Sequence, residues 1–382
     1  MNSSIQSKLP DVSTTIFTIM SKMAQEHNAL NLSQGFPGFE SDKKLIDLVS
    51  NAMNEGHNQY APMAGHFALR ERVCEKINTL YGSQYNPETE ITITAGATQA
   101  IFTIISAFVS KGDEVIIFEP AYDCYEPAII LNGGKPINIP LKLPEFSIDW
   151  KTVLEQFSAK TKMIIINTPH NPGGSVISKS DMLKLQELVK NSGCIVLSDE
   201  VYEHIIFDGG THQSVARFPE LANRSFITAS FGKTFHNTGW KVGYCVAPEP
   251  LMKEFQKVHQ FNVFSVNHPV QVALAEYLEK QEHYLSLSSF FQKKRDLFLE
   301  GLKGSRWEFC PAKGTYFQLL SFKNITDEKD TEFAKRLTIE HKVASIPISV
   351  FYKNQTDPKM LRFCFAKTDE VIENATEILR KI

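Results

Sequence analysis

The sequence lacks long apolar runs and an excess of charge of either sign. No apolar segment approaches the roughly 18 residues that a membrane-spanning helix needs, since the longest candidate, residues 101–109, is short and contains Thr103 and Ser106. With 40 Lys and Arg against 43 Asp and Glu, the net charge of −3 provides no basic surplus for nucleic acid or an anionic membrane. We therefore expect neither a nucleic-acid partner nor a membrane partner.

Paired cysteines are also missing. The six cysteines are widely scattered and form no C-x-x-C pair, a spacing typical of reduced thiols rather than of a disulfide framework or a zinc site. The first fifteen residues lack the basic region and the apolar region of a secretion signal. These features predict a cytoplasmic protein without a metal site.

Several familiar motifs of nucleotide-binding proteins and hydrolases are absent. Residues 232–234 read Gly-Lys-Thr, like the end of a phosphate-binding loop, but Ile227 stands where that motif needs glycine. No two glycines are spaced as G-x-G, and there is no G-x-S-x-G or H-E-x-x-H. ATP hydrolysis, NAD binding through the dinucleotide fingerprint, serine hydrolysis and zinc-peptidase chemistry thus lose their usual signatures.

Short apolar segments alternate with helical patterns through the first two thirds of the chain. Strands are predicted at 91–95, 114–118, 163–167, 194–198, 226–230 and 242–247, and helices over 101–108 and from Ser178 to Gly193. This alternation predicts an α/β fold whose mostly parallel sheet is covered by helices on both faces. Ligands of such sheets bind beyond the carboxyl ends of the strands.

The pattern changes after about residue 270. Charged helical stretches at 276–284 and 290–298 precede short strands at 314–320 and 361–366 and a final helix whose apolar face runs from Val371 to Ile382. We expect an N-terminal arm with part of a small domain over 1–40, a large domain over 41–270, and a smaller α/β domain over 271–382.

Four separated motifs lie at predicted strand ends or in short turns. They are Asn167-Thr-Pro-His-Asn-Pro-Gly-Gly174, Ser198-Asp-Glu-Val-Tyr202, Ser230-Phe-Gly-Lys-Thr234 and Gly239-Trp-Lys-Val-Gly243. Their order and spacing resemble the class I aminotransferases, which are pyridoxal phosphate enzymes of fold type I, and the resemblance runs from Asn31 to Arg362. The stretches TPHNPGG, SDEVYEHI, SFGKTFHNTGWKVGYCVAP and RFCFAK are most similar to the methionine aminotransferase branch, beside the kynurenine and glutamine–phenylpyruvate transaminases.

The resemblance assigns roles around the cofactor ring, and makes residues 41–270 the domain that binds pyridoxal phosphate. Lys233 would bond to the cofactor aldehyde and act as general base. The alternative is a solvated surface lysine, and a Ser-x-Gly-Lys turn directly after an apolar strand argues against it. Asp199 would keep the pyridine nitrogen protonated, although an isolated aspartate there could instead cap a helix. Tyr202 and Asn171 would donate to the phenolic oxygen, and Tyr122 would stack on the ring unless it is a core residue.

The cofactor phosphate requires hydrogen-bond donors and positive charge. The expected donors are Gly96, Ala97, Thr98, Ser230, Lys241 and, from a neighbouring subunit, Tyr60. Gly96-Ala97-Thr98 joins a strand to the first turn of a helix, where free N–H groups favour an anion. Many class I members have arginine at the position of Lys241, but lysine is common in this branch. The match at Tyr60 implies a homodimer with shared active sites.

The substrate contributes an α-carboxylate and a side chain. Residues expected to bind it are Gly35, Asn171, Arg362, Phe17 and Phe264, the last from the partner chain. Arg362 matches the family's carboxylate clamp, for which a planar guanidinium is suited, although a lone arginine on a strand is usually surface charge. His170 could brace the turn at Asn171.

The resemblance implies a ping-pong transfer of the amino group from an L-amino acid to a 2-oxo acid. Methionine is the first choice of donor, with aromatic amino acids or glutamine next. Kynurenine–oxoglutarate transamination and β-elimination from cysteine S-conjugates stay open as alternatives. A catalytically inactive binding or regulatory protein is a third reading, against which the presence of Lys233, Asp199, Tyr202 and Arg362 argues.

Overall fold

The computed structural model describes residues 6–382. Its strands, in chain order, are β1 (Leu30–Asn31), β2 (Ile91–Thr94), β3 (Glu114–Glu119), β4 (Lys135–Pro140), β5 (Thr161–Asn167), β6 (Ile195–Asp199), β7 (Ser225–Ser230), β8 (Gly243–Val246), β9 (Phe317–Ser321), β10 (Val343–Ala344), β11 (Ile346–Pro347) and β12 (Met360–Cys364). Seven of them form the central sheet in the order β2-β8-β7-β6-β5-β3-β4. Strands β3 to β7 are parallel, and β8 runs antiparallel to β2 and β7. The predicted mostly parallel sheet is confirmed.

Helices cover both faces of this sheet. In residues 6–382 the helices, in chain order, are α1 (Ile16–Glu26), α2 (Lys43–Asn54), α3 (Phe67–Tyr81), α4 (Ala97–Phe108), α5 (Tyr125–Leu131), α6 (Trp150–Gln156), α7 (Lys179–Val189), α8 (Pro219–Ala222), α9 (Phe231–Thr234), α10 (Glu249–Asn262), α11 (His268–Tyr277), α12 (Glu282–Leu285), α13 (Leu287–Gly301), α14 (Asp330–Glu340) and α15 (Asp369–Arg380), of which α14 and α15 pack on the short strands of the C-terminal part instead. Along β3, Val115 and Ile117 pack with Ile101 of α4, whereas Ile116 belongs to the larger core on the opposite face. This alternation follows from the two-residue period of a strand.

The helix predicted to begin at Ser178 has a well-defined start. The Ser178 side chain accepts from the Asp181 amide, and the Asp181 carboxylate accepts from the Ser178 amide, which is a capping box. The helix ends at Val189, four residues before the predicted stop at Gly193.

The C-terminal part of the chain builds a smaller antiparallel sheet in the order β11-β12-β9. Strand β1 pairs in parallel with β10, with Leu30 opposite Val343, so residues near 30 join this part of the structure. That arrangement is compatible with the domain boundaries expected near residues 40 and 270, which stay a prediction.

One predicted helix is wrong. Residues 276–284 are the end of α11, a turn whose residues 279–281 are exposed, and most of α12, not one helical stretch. Two buried tyrosines flank the turn and pack on different partners, since Tyr277 contacts Phe235 and Tyr284 contacts His204. The break lets both rings be buried, and local charge patterning could not reveal it.

Candidate active site

A cavity of about 330 Å³ lies at the carboxyl edge of the central sheet. Asn167 at the end of β5 is in register with Asp199 at the end of β6, and Ser230 ends the neighbouring strand β7. Because parallel strands end at the same edge, the segments that follow them converge there. The predicted site residues around the cavity are Phe17, Gly35, Gly96, Ala97, Thr98, Tyr122, Asn171, Asp199, Tyr202, Ser230, Lys233, Lys241 and Arg362.

Lys233 projects into this cavity from α9, the single helical turn that follows β7. Its Nζ donates to the carbonyl oxygen of Gly35 at 2.7 Å and lies 5.8 Å from the centre of the Tyr202 ring. Removal from water lowers the pKa of Lys233 to about 8, and the positive charges of Arg362 and Lys241 act in the same direction. A substantial fraction of this amine is therefore neutral near pH 8, as a nucleophile or general base requires.

Asp199 is buried at the end of β6. Its Oδ2 accepts from the hydroxyl of Tyr125 at 2.5 Å, and its Oδ1 accepts from the Val201 amide at 3.3 Å. Burial raises the pKa of Asp199 to about 6, against the opposing effect of the Tyr125 hydrogen bond. The contact with the Val201 amide lies within a turn, and no helix follows Asp199, so the alternative of a helix-capping aspartate is wrong.

A potential anion site lies in another part of the cavity wall, where β2 is followed by α4. Gly96 precedes the helix with φ +81° and no side-chain cap, so the first N–H groups of α4 lack intrahelical partners. A Cβ on Gly96 would lie 3.4 Å from Nζ of Lys241. The ammonium and the start of the helix thus face one space, and Ser230 and Thr98 add hydroxyls to the same cavity wall.

Arg362 comes from β12 and is only 1% exposed. It donates to Asn171 Oδ1 at 2.7 Å and to the Ser33 carbonyl at 3.1 Å, and its guanidinium carbon lies 3.9 Å from the centre of the Phe317 ring. Its Nε has no hydrogen-bond partner. A buried cation with an unused donor is well suited to a carboxylate that arrives in the cavity.

Tyr202 is buried against Tyr316, whose ring centre is 5.2 Å away. Burial raises the pKa of Tyr202 well above its usual range, so its phenol stays protonated and can donate. Tyr316 in turn donates to the Gly35 carbonyl at 2.6 Å, the same oxygen that binds Lys233. Tyr316 was not predicted as a site residue.

Three residues considered from the sequence do not line the cavity. Tyr60 is 80% exposed and Phe264 is 47% exposed, with ring centres 5.4 Å apart, so the two form an aromatic pair on the surface. His170 is buried, with Nε2 3.0 Å from the Pro120 carbonyl and Nδ1 accepting from the Gly173 amide at 3.1 Å. These contacts place His170 in the turn around Asn171.

The donor set around the cavity fits pyridoxal phosphate. The open start of α4 beside Lys241 matches the phosphate, the buried Asp199 matches the ring nitrogen, and Lys233 provides the amine for the aldehyde. Asn171 and Tyr202 add polar groups on the remaining side. Within residues 6–382, no group of His, Cys, Asp and Glu side chains is arranged to hold a metal ion.

Sequence reasoning missed several residues of the site, among them Phe36 and Phe317 of the cavity wall. Tyr125 braces Asp199, Tyr316 shares the Gly35 carbonyl with Lys233, and the Gln34 side chain donates to the Phe17 carbonyl at 2.9 Å. Gln34 adjoins Gly35, which was expected to bind the substrate, and this neighbourhood was its only local signal. Tyr316 precedes an apolar strand and resembles ordinary core, and nothing in the sequence around Tyr125 marks it as a partner of Asp199.

Comparisons with known proteins identify the family. Residues 27–379 match the family described as aminotransferase class I and II. A methionine aminotransferase of Escherichia coli is 47% identical over 378 residues, which cover 99% of this chain and 98% of that protein. A kynurenine–oxoglutarate transaminase of Dictyostelium discoideum is 35% identical over 408 residues, covering 96% of this chain and 94% of that protein.

Solved structures agree with these relatives. A crystal structure from Escherichia coli, reported with a methionine aminotransferase function, has a TM-score of 0.97 at 47% identity and covers 99% of both chains. N-succinyldiaminopimelate aminotransferase from Mycobacterium tuberculosis has a TM-score of 0.95 at 32% identity, covering 98% of this chain and 99% of that one. The predicted fold type is confirmed.

Proposed function

Because the chain belongs to the class I and II aminotransferases, we propose that it transfers the amino group of L-methionine to a 2-oxo acid. The protein is a transaminase that depends on pyridoxal phosphate. The choice of methionine is carried by the 47% identity, over 99% of the chain, with a methionine aminotransferase.

The lining of the cavity supports an uncharged substrate side chain. The charged residues that this chain contributes are Asp199, Lys233, Lys241 and Arg362. Each of them is proposed to bind the cofactor or the α-carboxylate. Within the part of the chain that the structure describes, no positively charged residue is therefore free in the cavity to pair with a second carboxylate on the substrate. The uncharged part of the wall includes the aromatic rings of Phe17, Phe36 and Phe317, and thioether sulfur makes favourable contacts with aromatic rings.

Bound pyridoxal phosphate supplies an aldehyde that takes up the amino group and a protonated ring that withdraws electrons. Lys233 Nζ, once neutral, takes the proton from the substrate Cα and later returns a proton as general acid. Asp199 holds the ring nitrogen in its protonated form. Arg362 binds the α-carboxylate through donors not used by Asn171 and Ser33.

The chain is proposed to act as a homodimer whose subunits share their active sites. The exposed pair of Tyr60 and Phe264 supports this assembly, because two neighbouring aromatic rings that are uncovered on a single chain are suited to contact with a second copy. Loss of Tyr60 should weaken cofactor binding in the opposite subunit of a mixed dimer. A cytoplasmic location is proposed from the six unpaired cysteines, which suit a reducing compartment.

The substrate assignment is tested with a panel of amino donors and 2-oxo acids. L-methionine should give the highest kcat/KM, above phenylalanine, tyrosine, glutamine and kynurenine, and far above aspartate and glutamate. Double-reciprocal plots at several acceptor concentrations should be parallel, as a ping-pong reaction requires. A preference for aspartate or glutamate would contradict the reading of the cavity.

Kynurenine–oxoglutarate transamination is the second candidate, favoured by the 35% identity with a transaminase of that name. The aromatic lining that suits a thioether also suits an aryl side chain. A higher kcat/KM with kynurenine than with methionine would establish it. An assay with a cysteine S-conjugate as substrate distinguishes β-elimination from transamination. β-Elimination would yield pyruvate and ammonia without consuming an oxo acid.

A further inference from the structure

Tyr125 lies behind the wall of the cavity. It is the first residue of α5 and is buried, and it does not line the cavity itself, whereas Tyr122 in the preceding loop does. The two rings are 5.8 Å apart and nearly perpendicular, at 75°. One short segment therefore contributes both a cavity wall and the donor that contacts Asp199.

We propose that Tyr125 is a positioning residue of this active site, which holds Oδ2 of Asp199 and leaves Oδ1 to accept from the cofactor's ring nitrogen. The inference rests on the proposed function and extends it by one residue. The contact of 2.5 Å occupies Oδ2 with the hydroxyl of a buried phenol. Oδ1 has only the long 3.3 Å contact with the Val201 amide and keeps acceptor capacity.

The surroundings of Asp199 show how the Tyr125 hydroxyl affects the protonation of this carboxyl group. Burial favours the protonated carboxyl and Glu200 adds to this, whereas Lys233 and the hydrogen bonds from Tyr125 and Val201 favour the carboxylate. Because the Tyr125 hydroxyl is a strong, fixed donor to the ionised form, its removal should make Asp199 more basic and freer to rotate.

A matched pair elsewhere in the chain separates this role from ordinary stabilisation. Tyr81 donates to Glu203 Oε2, also at 2.5 Å and also in a buried setting, but neither residue lines the cavity. Glu203 keeps two other donors, Lys76 and Tyr244, when that bond is lost. Tyr81→Phe therefore removes an equivalent phenol–carboxylate bond without touching Asp199.

The test begins with cofactor-free protein labelled with ¹³C at the aspartate carboxyl groups. The Asp199 signal is identified by its absence from Asp199→Asn, and its titration midpoint is measured in the wild type, Tyr125→Phe and Tyr81→Phe. Tyr125→Phe should raise the midpoint by about one unit, and Tyr81→Phe should leave it unchanged. An unchanged midpoint in Tyr125→Phe, or an equal shift in both variants, would overturn the proposal.

A double-mutant cycle on cofactor affinity provides the second readout. Tyr125→Phe should weaken pyridoxal phosphate binding by about tenfold in the wild-type background and by less than twofold when Asp199 is already asparagine. Equal losses in both backgrounds would refute a role through Asp199. Because the carboxyl titration needs neither cofactor nor turnover, failure of this proposal is distinguishable from absence of transaminase activity.

Discussion

Replacement of Gly96 by alanine tests the proposed phosphate site. Gly96 has φ +81° and ψ 170°, a conformation almost confined to glycine, so an alanine there should lower the free energy of unfolding by about 1–3 kcal/mol. The new Cβ would lie 3.4 Å from Nζ of Lys241, within the space where the phosphate is proposed to bind. We expect the Kd for pyridoxal phosphate to rise at least about tenfold, which corresponds to about 1.4 kcal/mol.

Gly82→Ala is the matched control. Gly82 has φ +76° at the end of α3, and a Cβ there meets nothing within 4 Å, so this variant carries backbone strain without filling the cavity. Urea unfolding gives the stability of each variant, and absorbance titration of the cofactor-free proteins gives the affinity. Wild-type affinity in a folded Gly96→Ala protein, or an equal loss in Gly82→Ala, would refute the phosphate site.

Three further predictions concern charged groups in the cavity. Arg362→Lys replaces a planar guanidinium, which can donate two parallel hydrogen bonds, by a single ammonium group, and should raise KM for methionine about ten- to hundredfold in steady-state assays. An unchanged KM would contradict the proposal that Arg362 binds the α-carboxylate. Because the pKa of Lys233 is lowered to about 8, the rate at which cofactor-free protein takes up pyridoxal phosphate should rise about tenfold from pH 7 to 9 and then level off, whereas an ordinary lysine would give about a hundredfold rise without a plateau. The pKa of Asp199 is raised to about 6, so the stability that its protonated form provides is complete below pH 4 and is lost as the pH rises through 6. Asp199→Asn should therefore stabilise the cofactor-free protein at pH 8 by about 3 kcal/mol in urea unfolding, and a loss of stability would contradict the burial argument.

The position of the site was predictable because its main residues follow apolar strands. Asn167, Asp199 and Ser230 are each the last residue of a strand that its β-branched and apolar residues predict. The fold then aligns those ends through parallel pairing, as in the register between Asn167 and Asp199. The chemistry of a residue and its place at the end of a strand were both local signals.

Contacts between distant segments were not predictable in the same way. Tyr316 reaches Gly35 across 281 residues of sequence, and Tyr125 reaches Asp199 across 74. Nothing in their neighbourhoods distinguishes these tyrosines from core aromatics, since burial and hydrogen bonding depend on how the elements pack. The predicted roles of Tyr60 and Phe264 depend on a second chain and stay predictions.

The central claim is that the amine of Lys233 bonds to the cofactor. It is tested most directly by borohydride reduction of the protein loaded with pyridoxal phosphate, followed by digestion and mass spectrometry of the peptides. The account predicts a single stable adduct, on Lys233, that is lost in Lys233→Ala. An adduct on Lys241 or another lysine, or none at all in a protein that binds the cofactor, would contradict it.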